Sequence, residues 1–125
     1  MVQRFDYLVI GSGIAGMSFA LKVANKGSVA LICKTSLQEA NTYYAQGGVA
    51  SVTNPIDDFE KHIQDTLIAG DGHCDRAAVE KVVKEAPAQI KELIEWGVKF
   101  DKTASGDFDL HREGGHSVFR ILHHK

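Results

Sequence analysis

Disulfide chemistry is the first thing this sequence lacks. It has only two cysteines, Cys33 and Cys74, and they do not form a C-x-x-C pair. That excludes a disulfide framework, argues against a structural zinc site, and fits a reducing compartment such as the cytoplasm. An excess of one charge is also missing: 14 basic against 16 acidic residues give a formal charge of −2. General nucleic-acid binding needs a basic face, which this balance does not supply. No apolar run approaches the ~20 residues of a membrane span. The nearest stretch, from Tyr7 to Leu21, follows Arg4 in the manner of a signal peptide. Glycines at Gly11, Gly13 and Gly16 break it, however, and Asp6 sits where a basic leader would be. What is present is 44% hydrophobic and 24% charged residues, enough to bury a core, in 125 residues. That length suits one domain or part of a larger one.

Periodicity organises the chain. The run FDYLVI (Phe5 to Ile10) has strand character. Ile14, Met17, Leu21 and Ala24 recur at helical spacing, with Gly27 expected just past the helix end. SVALIC (Ser28 to Cys33) reads as a second strand buried on both faces, with Cys33 an inert buried thiol. The right-handed crossover rule makes the two strands parallel neighbours. Residues 35–53 show no period and read as loop, and Asn54-Pro55 is a turn signal. Ile56, Phe59, Ile63 and Leu67 form one helical stripe, stopped by Gly70-Asp71-Gly72. Asp75 is an expected N-cap for a further helix. Its stripe (Val79, Val82, Val83, Ala86, then Ile90, Leu93 and Ile94) is expected in the core, as is Trp96. Pro87 inside that stripe predicts a kink or two abutting helices. Val98–Phe100 and Phe108–Leu110 read as a hairpin around residues 104–107. The polar loop HREGGHS follows, and after it no closing element is expected. Two strands make too small an open sheet, which suggests part of a larger domain.

Chemistry concentrates in two glycine-rich stretches. Gly11-x-Gly13-x-x-Gly16 lies between a strand and a helix. Gly11 permits the tight turn, Gly13 lets a pyrophosphate approach the backbone, and Gly16 allows close packing, while the helix N-terminus attracts the anion. The acid expected ~20 residues on, to bind a ribose hydroxyl, is missing, and Lys34 occupies its place. A lysine there suits either the 2′-phosphate of NADP or the adenosine end of FAD. The second stretch, Asn41-Thr42-Tyr43-Tyr44-Ala45-Gln46-Gly47-Gly48, offers amides, backbone donors and no bulk at its end. That suits a flat ring system lying against main chain. The adjacent pairs His73-Cys74 and His123-His124 are poor metal sites, because neighbouring ligands rarely close a tetrahedron; no metal is expected.

In order, VIGSGIAG, YAQGGVA, DTLIAGDGHCD and REGGHS closely resemble the flavoprotein family of succinate dehydrogenase, fumarate reductase and L-aspartate oxidase. The resemblance runs from about Asp6 to Lys125. It implies an α/β fold: a Rossmann-like FAD-binding βαβ unit, then helices and a short hairpin. It also implies that residues 1–125 are the N-terminal part of an FAD-binding domain, whose remainder, capping domain and helical domain lie elsewhere. By resemblance, Ser12, Gly13, Ile14 and Ala15, then Lys34, then Asn41 to Gly48 contact FAD. Covalent members carry histidine where Asn41 stands, so non-covalent FAD is implied. Lys34 is ordinary in the aspartate oxidase branch. The dehydrogenases have a large apolar residue where Glu113 stands. A carboxylate there suits a substrate bearing an α-ammonium, because the two charges pair in a water-poor site. The implied reaction is therefore L-aspartate to iminoaspartate, with hydride passing to FAD and oxygen or fumarate as acceptor. Iminoaspartate feeds quinolinate and NAD synthesis, and being unstable it implies quinolinate synthase as a partner. His116, Ser117 and Arg120 are candidates for binding substrate carboxylates, and the family's other catalytic residues lie downstream. Two alternatives stand beside this reading, a soluble fumarate reductase or succinate dehydrogenase type of flavoprotein and a bare nucleotide-binding module. The segment alone is expected to be inactive.

Overall fold

The computed structural model describes residues 1–45 and 47–124, in two compact units, Met1–Gln46 and Gly47–Lys125. In the first unit β1 (Tyr7–Ile10) leads into α1 (Ile14–Val23), and β2 (Val29–Ile32) returns beside β1. The strands are parallel, in register Tyr7↔Val29 to Ile10↔Ile32, as the crossover rule requires. A short helix, α2 (Asn41–Tyr44), follows inside the stretch expected to be loop. Val9 and Val23 are the buried apolar residues of this unit.

Three expectations need correction here. β2 is not buried on both faces: Val29, Ala30 and Leu31 are half-buried and Ile32 is exposed. In β1, Val9 is buried while Leu8 and Ile10 are 62% and 79% exposed, so α1 covers one face and leaves their apolar face open. Cys33 is correspondingly half-buried rather than enclosed. Gly27 does not end the helix, which stops at Val23. Its role is room, because a Cβ there would press on the Asp6 carboxylate at 2.7 Å. That carboxylate accepts hydrogen bonds from the Ser28 N–H and hydroxyl, both at 2.7 Å, and ties the start of β1 to that of β2.

The second unit pairs two helices with a three-stranded antiparallel sheet ordered β3-β5-β4: β3 (Val49–Ala50), β5 (Ile121–Leu122) and β4 (Leu110–His111). α3 (Phe59–Ala69) starts at Asp58, whose side chain accepts the Lys61 N–H. Ile56 thus precedes the helix and lies exposed in the turn. α4 (Arg76–Glu95) starts at Asp75, which accepts the Ala77 and Ala78 N–H groups, as expected. It runs as one helix of 20 residues through Pro87, so the two-helix alternative fails. Within its stripe only Val83 and Ile90 are fully buried, and together with Ile63, Ile121 and Leu122 they form the core. Trp96 stands 37% exposed at the helix end, outside that core.

The expected hairpin exists one step along. Lys102 bridges Phe108, and the Asp109 N–H donates to the Asp101 carbonyl, so residues 101–103 replace 98–100 as its first arm. Leu110 pairs instead with Leu122. The Ile121-Leu122 pair, where no closing element is expected, is the central strand, and both its side chains are buried there.

Gly16 yields a prediction with a definite sign. In an ordinary helix interior, Gly→Ala stabilises by about 1 kcal/mol. Here a Cβ would collide with the Gly11 carbonyl and crowd Val9. Gly16→Ala should instead lower the midpoint of urea unfolding, and an unchanged or raised midpoint would contradict this packing.

Candidate functional site

The first candidate site is the turn between β1 and α1. Gly11 takes φ +108°, a left-handed conformation open to glycine at no steric cost. Its N–H donates to the Ile32 carbonyl at 2.8 Å, so the turn is anchored to the end of β2. Gly13 is the N-cap of α1 and contributes no side-chain hydrogen bond. The helix N-terminus therefore has partial positive charge uncapped by its own side chain, the arrangement a phosphate needs. From α2, the Thr42 hydroxyl accepts the Ile14 N–H at 3.1 Å. A cleft of about 550 Å³ opens between the two, lined by Ser12, Ile14, Met17, Leu37, Gln38, Ala40, Thr42 and Tyr43. Two stretches named separately in the sequence thus meet at one concavity. Asn41, Tyr44, Ala45 and Lys34 are exposed, Gln46 lies outside the described residues, and Lys34 does not line the cleft. A polar glycine turn beside an apolar cleft fits a dinucleotide with a flat ring.

Gly47 and Gly48 belong to the second unit. A Cβ on Gly48 would stand 3.2 Å from the His123 ring and 3.3 Å from Ile121, so its small size serves the packing of β5.

The second candidate site is the REGGHS loop. Glu113 to His116 is a tight turn, closed by the His116 N–H donating to the Glu113 carbonyl, with Gly115 at φ +82°. The Glu113 side chain is 59% exposed. Beneath the turn lies a network that sequence reasoning missed. Arg120 is fully buried. Its Nε and Nη2 donate to the two oxygens of Asp57, each at 2.8 Å, and its Nη1 donates to Asp65. Asp65 also accepts both the N–H and the hydroxyl of Ser117 at 2.8 Å. His116 Nδ1 lies 3.3 Å from Arg120 Nη1.

This geometry corrects the expectation that Arg120 and Ser117 face a substrate carboxylate. Arg120 is buried against Asp57 and Asp65, and the Ser117 N–H and hydroxyl both donate to Asp65, so the two residues hold the loop. Asp65 had one signal, a charge at the head of DTLIAGDGHCD. Asp57 had none, since a buried partner 63 positions from Arg120 leaves no periodic trace.

The electrostatics follow the contacts. Burial works to raise the Asp65 pKa, but the Ser117 N–H, the Arg120 guanidinium and the Ser117 hydroxyl outweigh it and hold it below its ordinary value. Burial likewise works to lower the Arg120 pKa, and the hydrogen bonds to Asp57 and Asp65 outweigh it, raising it. His62 is depressed by burial first, then by the charge of Arg120 and by His116. Among the described residues, no group of three or more His, Cys, Asp or Glu could hold a metal. No helix among them is long and apolar enough to cross a membrane.

A parallel β–α–β unit with a glycine turn at the helix N-terminus defines a dinucleotide-binding α/β protein. The family pattern of the FAD binding domain matches residues 6–125, and the chain belongs to that family; FAD is its cofactor. Over 98% of its length the chain is 52% identical to L-aspartate oxidase 2-b, chloroplastic, of Nicotiana tabacum, and covers 19% of that protein. Over 97% of its length it is 50% identical to an L-aspartate oxidase of Vibrio cholerae and covers 24% of it. Among solved structures, an E. coli quinol fumarate reductase matches 94% of the chain with TM-score 0.83 and 31% identity, the match spanning 21% of that protein. The chain thus spans about a fifth of the length of the relatives it matches.

The Arg120 network predicts acid sensitivity. His62 favours its neutral form when folded, so its contribution is lost as pH falls below the ordinary ~6.5. Asp65 has a depressed folded pKa, so its contribution is present above the ordinary ~3.9 and is lost as pH falls through the folded value. Asp65→Asn should cost about 3 kcal/mol at pH 7, the scale of a broken buried pair. It should also flatten the fall in stability below ~pH 4, where Asp65 titrates. Urea titrations at a series of pH values check both, and a variant as acid-sensitive as the parent would refute the second.

Proposed function

We propose that a full-length protein carrying this sequence oxidises L-aspartate to iminoaspartate, with non-covalently bound FAD as the hydride acceptor. The observation that carries the reading is Glu113: an exposed carboxylate on a turn that is clamped from below through Ser117 and Arg120. A carboxylate there would meet the α-ammonium of aspartate, which a plain dicarboxylate lacks. The names of the relatives, L-aspartate oxidases at about half identity, support the same substrate. The relatives' length supports reading residues 1–125 as part of a larger FAD-binding domain.

Bound FAD supplies the two-electron chemistry, and this chain's residues bind and orient. Ser12 to Ala15, with Gly11 and Gly16 shaping the turn, would hold the pyrophosphate. Asn41 to Ala45 would lie against the rest of the cofactor, with Lys34 toward its adenosine end. Asparagine at position 41 offers no ring nitrogen for a covalent flavin link. Glu113 would fix the substrate ammonium, and His116 is the remaining candidate near a substrate carboxylate. Oxygen or fumarate would reoxidise the cofactor. The unstable product would pass to quinolinate synthase for NAD synthesis in the cytoplasm, and both cysteines being free suits that compartment.

The fumarate reductase likeness keeps one rival, a succinate-oxidising or fumarate-reducing enzyme. Anaerobic visible spectra separate them. The full-length protein should show a flavin band that L-aspartate bleaches. Bleaching by succinate alone would give the rival reading, and a colourless protein that stays empty after adding FAD would refute both. Glu113→Phe should lose aspartate turnover far more than succinate binding, checked by steady-state rates and succinate inhibition.

A further inference from the structure

The Glu113 carboxylate has a close neighbour that no part of the proposed reaction uses. His123, the residue after β5, places Nε2 3.2 Å from Glu113 Oε1. That nitrogen is buried and has no hydrogen-bond partner, so its approach to Glu113 is close but out of line for a hydrogen bond. The ring's seat is built. The His123 carbonyl accepts the Asp101 N–H at 2.8 Å, which fixes the backbone. The His111 ring packs against it with centroids 4.5 Å apart, and Gly48 lies so near that a Cβ would stand 3.2 Å from Cε1. His111 in turn has Nε2 3.9 Å from Asp109 Oδ2.

We propose that His123 is a positioning residue for Glu113, holding Oε1 so that Oε2 is presented to the α-ammonium of the substrate. The inference rests on the role proposed for Glu113. Two physical reasons carry it. A buried polar nitrogen without a partner is costly, and Glu113 is the carboxylate within reach. An exposed glutamate samples many rotamers, and one confined by a ring nitrogen 3.2 Å away loses less entropy when substrate binds. Discrimination between an amino dicarboxylate and a plain one thus involves both residues.

The test uses the full-length protein and four variants, each first checked for its flavin spectrum. KM and kcat are measured for L-aspartate, and Ki for succinate, which has no ammonium. Glu113→Gln should raise the aspartate KM by about 10- to 100-fold, the scale of a hydrogen bond to a charge. His123→Leu should raise it about three- to tenfold, the scale of one modest polar contact, with kcat and succinate Ki changed less than about twofold. His123→Gln, which keeps an N–H near the Nε2 position, should recover most of the loss. Where the leucine variant fails to fold, His123→Asn, whose N–H falls short of that position, should show the same rise. An effect of Glu113→Gln with none from His123→Leu or His123→Asn would overturn the inference and leave the Glu113 reading standing. No effect from either residue would overturn both. A rise in succinate Ki equal to that in aspartate KM, or no recovery with glutamine, would make His123 merely structural and also overturn the inference.

Discussion

The second unit depends on the burial of one cation. Arg120 has no exposed surface, and a guanidinium without water must satisfy its donors inside the protein or cost several kcal/mol. Asp57 takes one edge and Asp65 the next nitrogen. Those two carboxylates come from the turn before α3 and from α3 itself. Arg120 also sits one residue before β5. Its carbonyl accepts the Ser51 N–H beside β3, and its N–H donates to the His111 carbonyl of β4. One residue therefore joins the three-stranded sheet through its backbone and the helix layer through its side chain. Hydrophobic burial of Ile63, Ile121 and Leu122 supplies a driving force without direction. The forked ion pair supplies the direction, since bidentate geometry admits few orientations.

The loop that carries Glu113 inherits that order. Asp65 is shared between Arg120 and Ser117, so the REGGHS turn is pinned four residues after its carboxylate. Glycines allow the turn to be tight, with Gly115 at φ +82°. In the first unit backbone geometry does the corresponding work. The left-handed Gly11 and the close packing of Gly16 on its carbonyl set the turn at the N-terminus of α1, where Thr42 accepts the Ile14 N–H. An anion-attracting helix N-terminus is a property of main-chain dipoles, and so it tolerates varied side chains around it.

Local elements were legible in the sequence wherever one period or one turn residue decided them. The parallel β1–α1–β2 unit, the cap at Asp75 and the stops at Gly70–Gly72 and Gly97 follow from apolar spacing and from glycine and aspartate chemistry. The glycine turn was legible for the same reason. Errors arose where a neighbour distant in sequence decided the outcome. Trp96 and Ile56 are apolar, yet no facing element covers them fully. Cys33 and Ile32 looked like core residues because a parallel strand is ordinarily covered on both faces, and here α1 covers one. Arg120 and Ser117 looked like ligand-binding residues because polar groups in a polar loop carry no mark of an internal partner.

By itself the sequence determined the class of fold, the position of the glycine turn and the family to which the chain belongs. Those properties are local: they rest on backbone freedom at glycine, on periodic burial, and on short motifs read in order. Only the tertiary structure decided that Ile121-Leu122 is a central strand and that Arg120 serves Asp57 and Asp65. It also decided that His123 stands against Glu113. Each of these is a pairing across a long stretch of chain or between side chains on different strands and loops. Such pairings are selected by which buried charges and backbone groups find partners once the chain is packed, and no spacing along the chain records that choice.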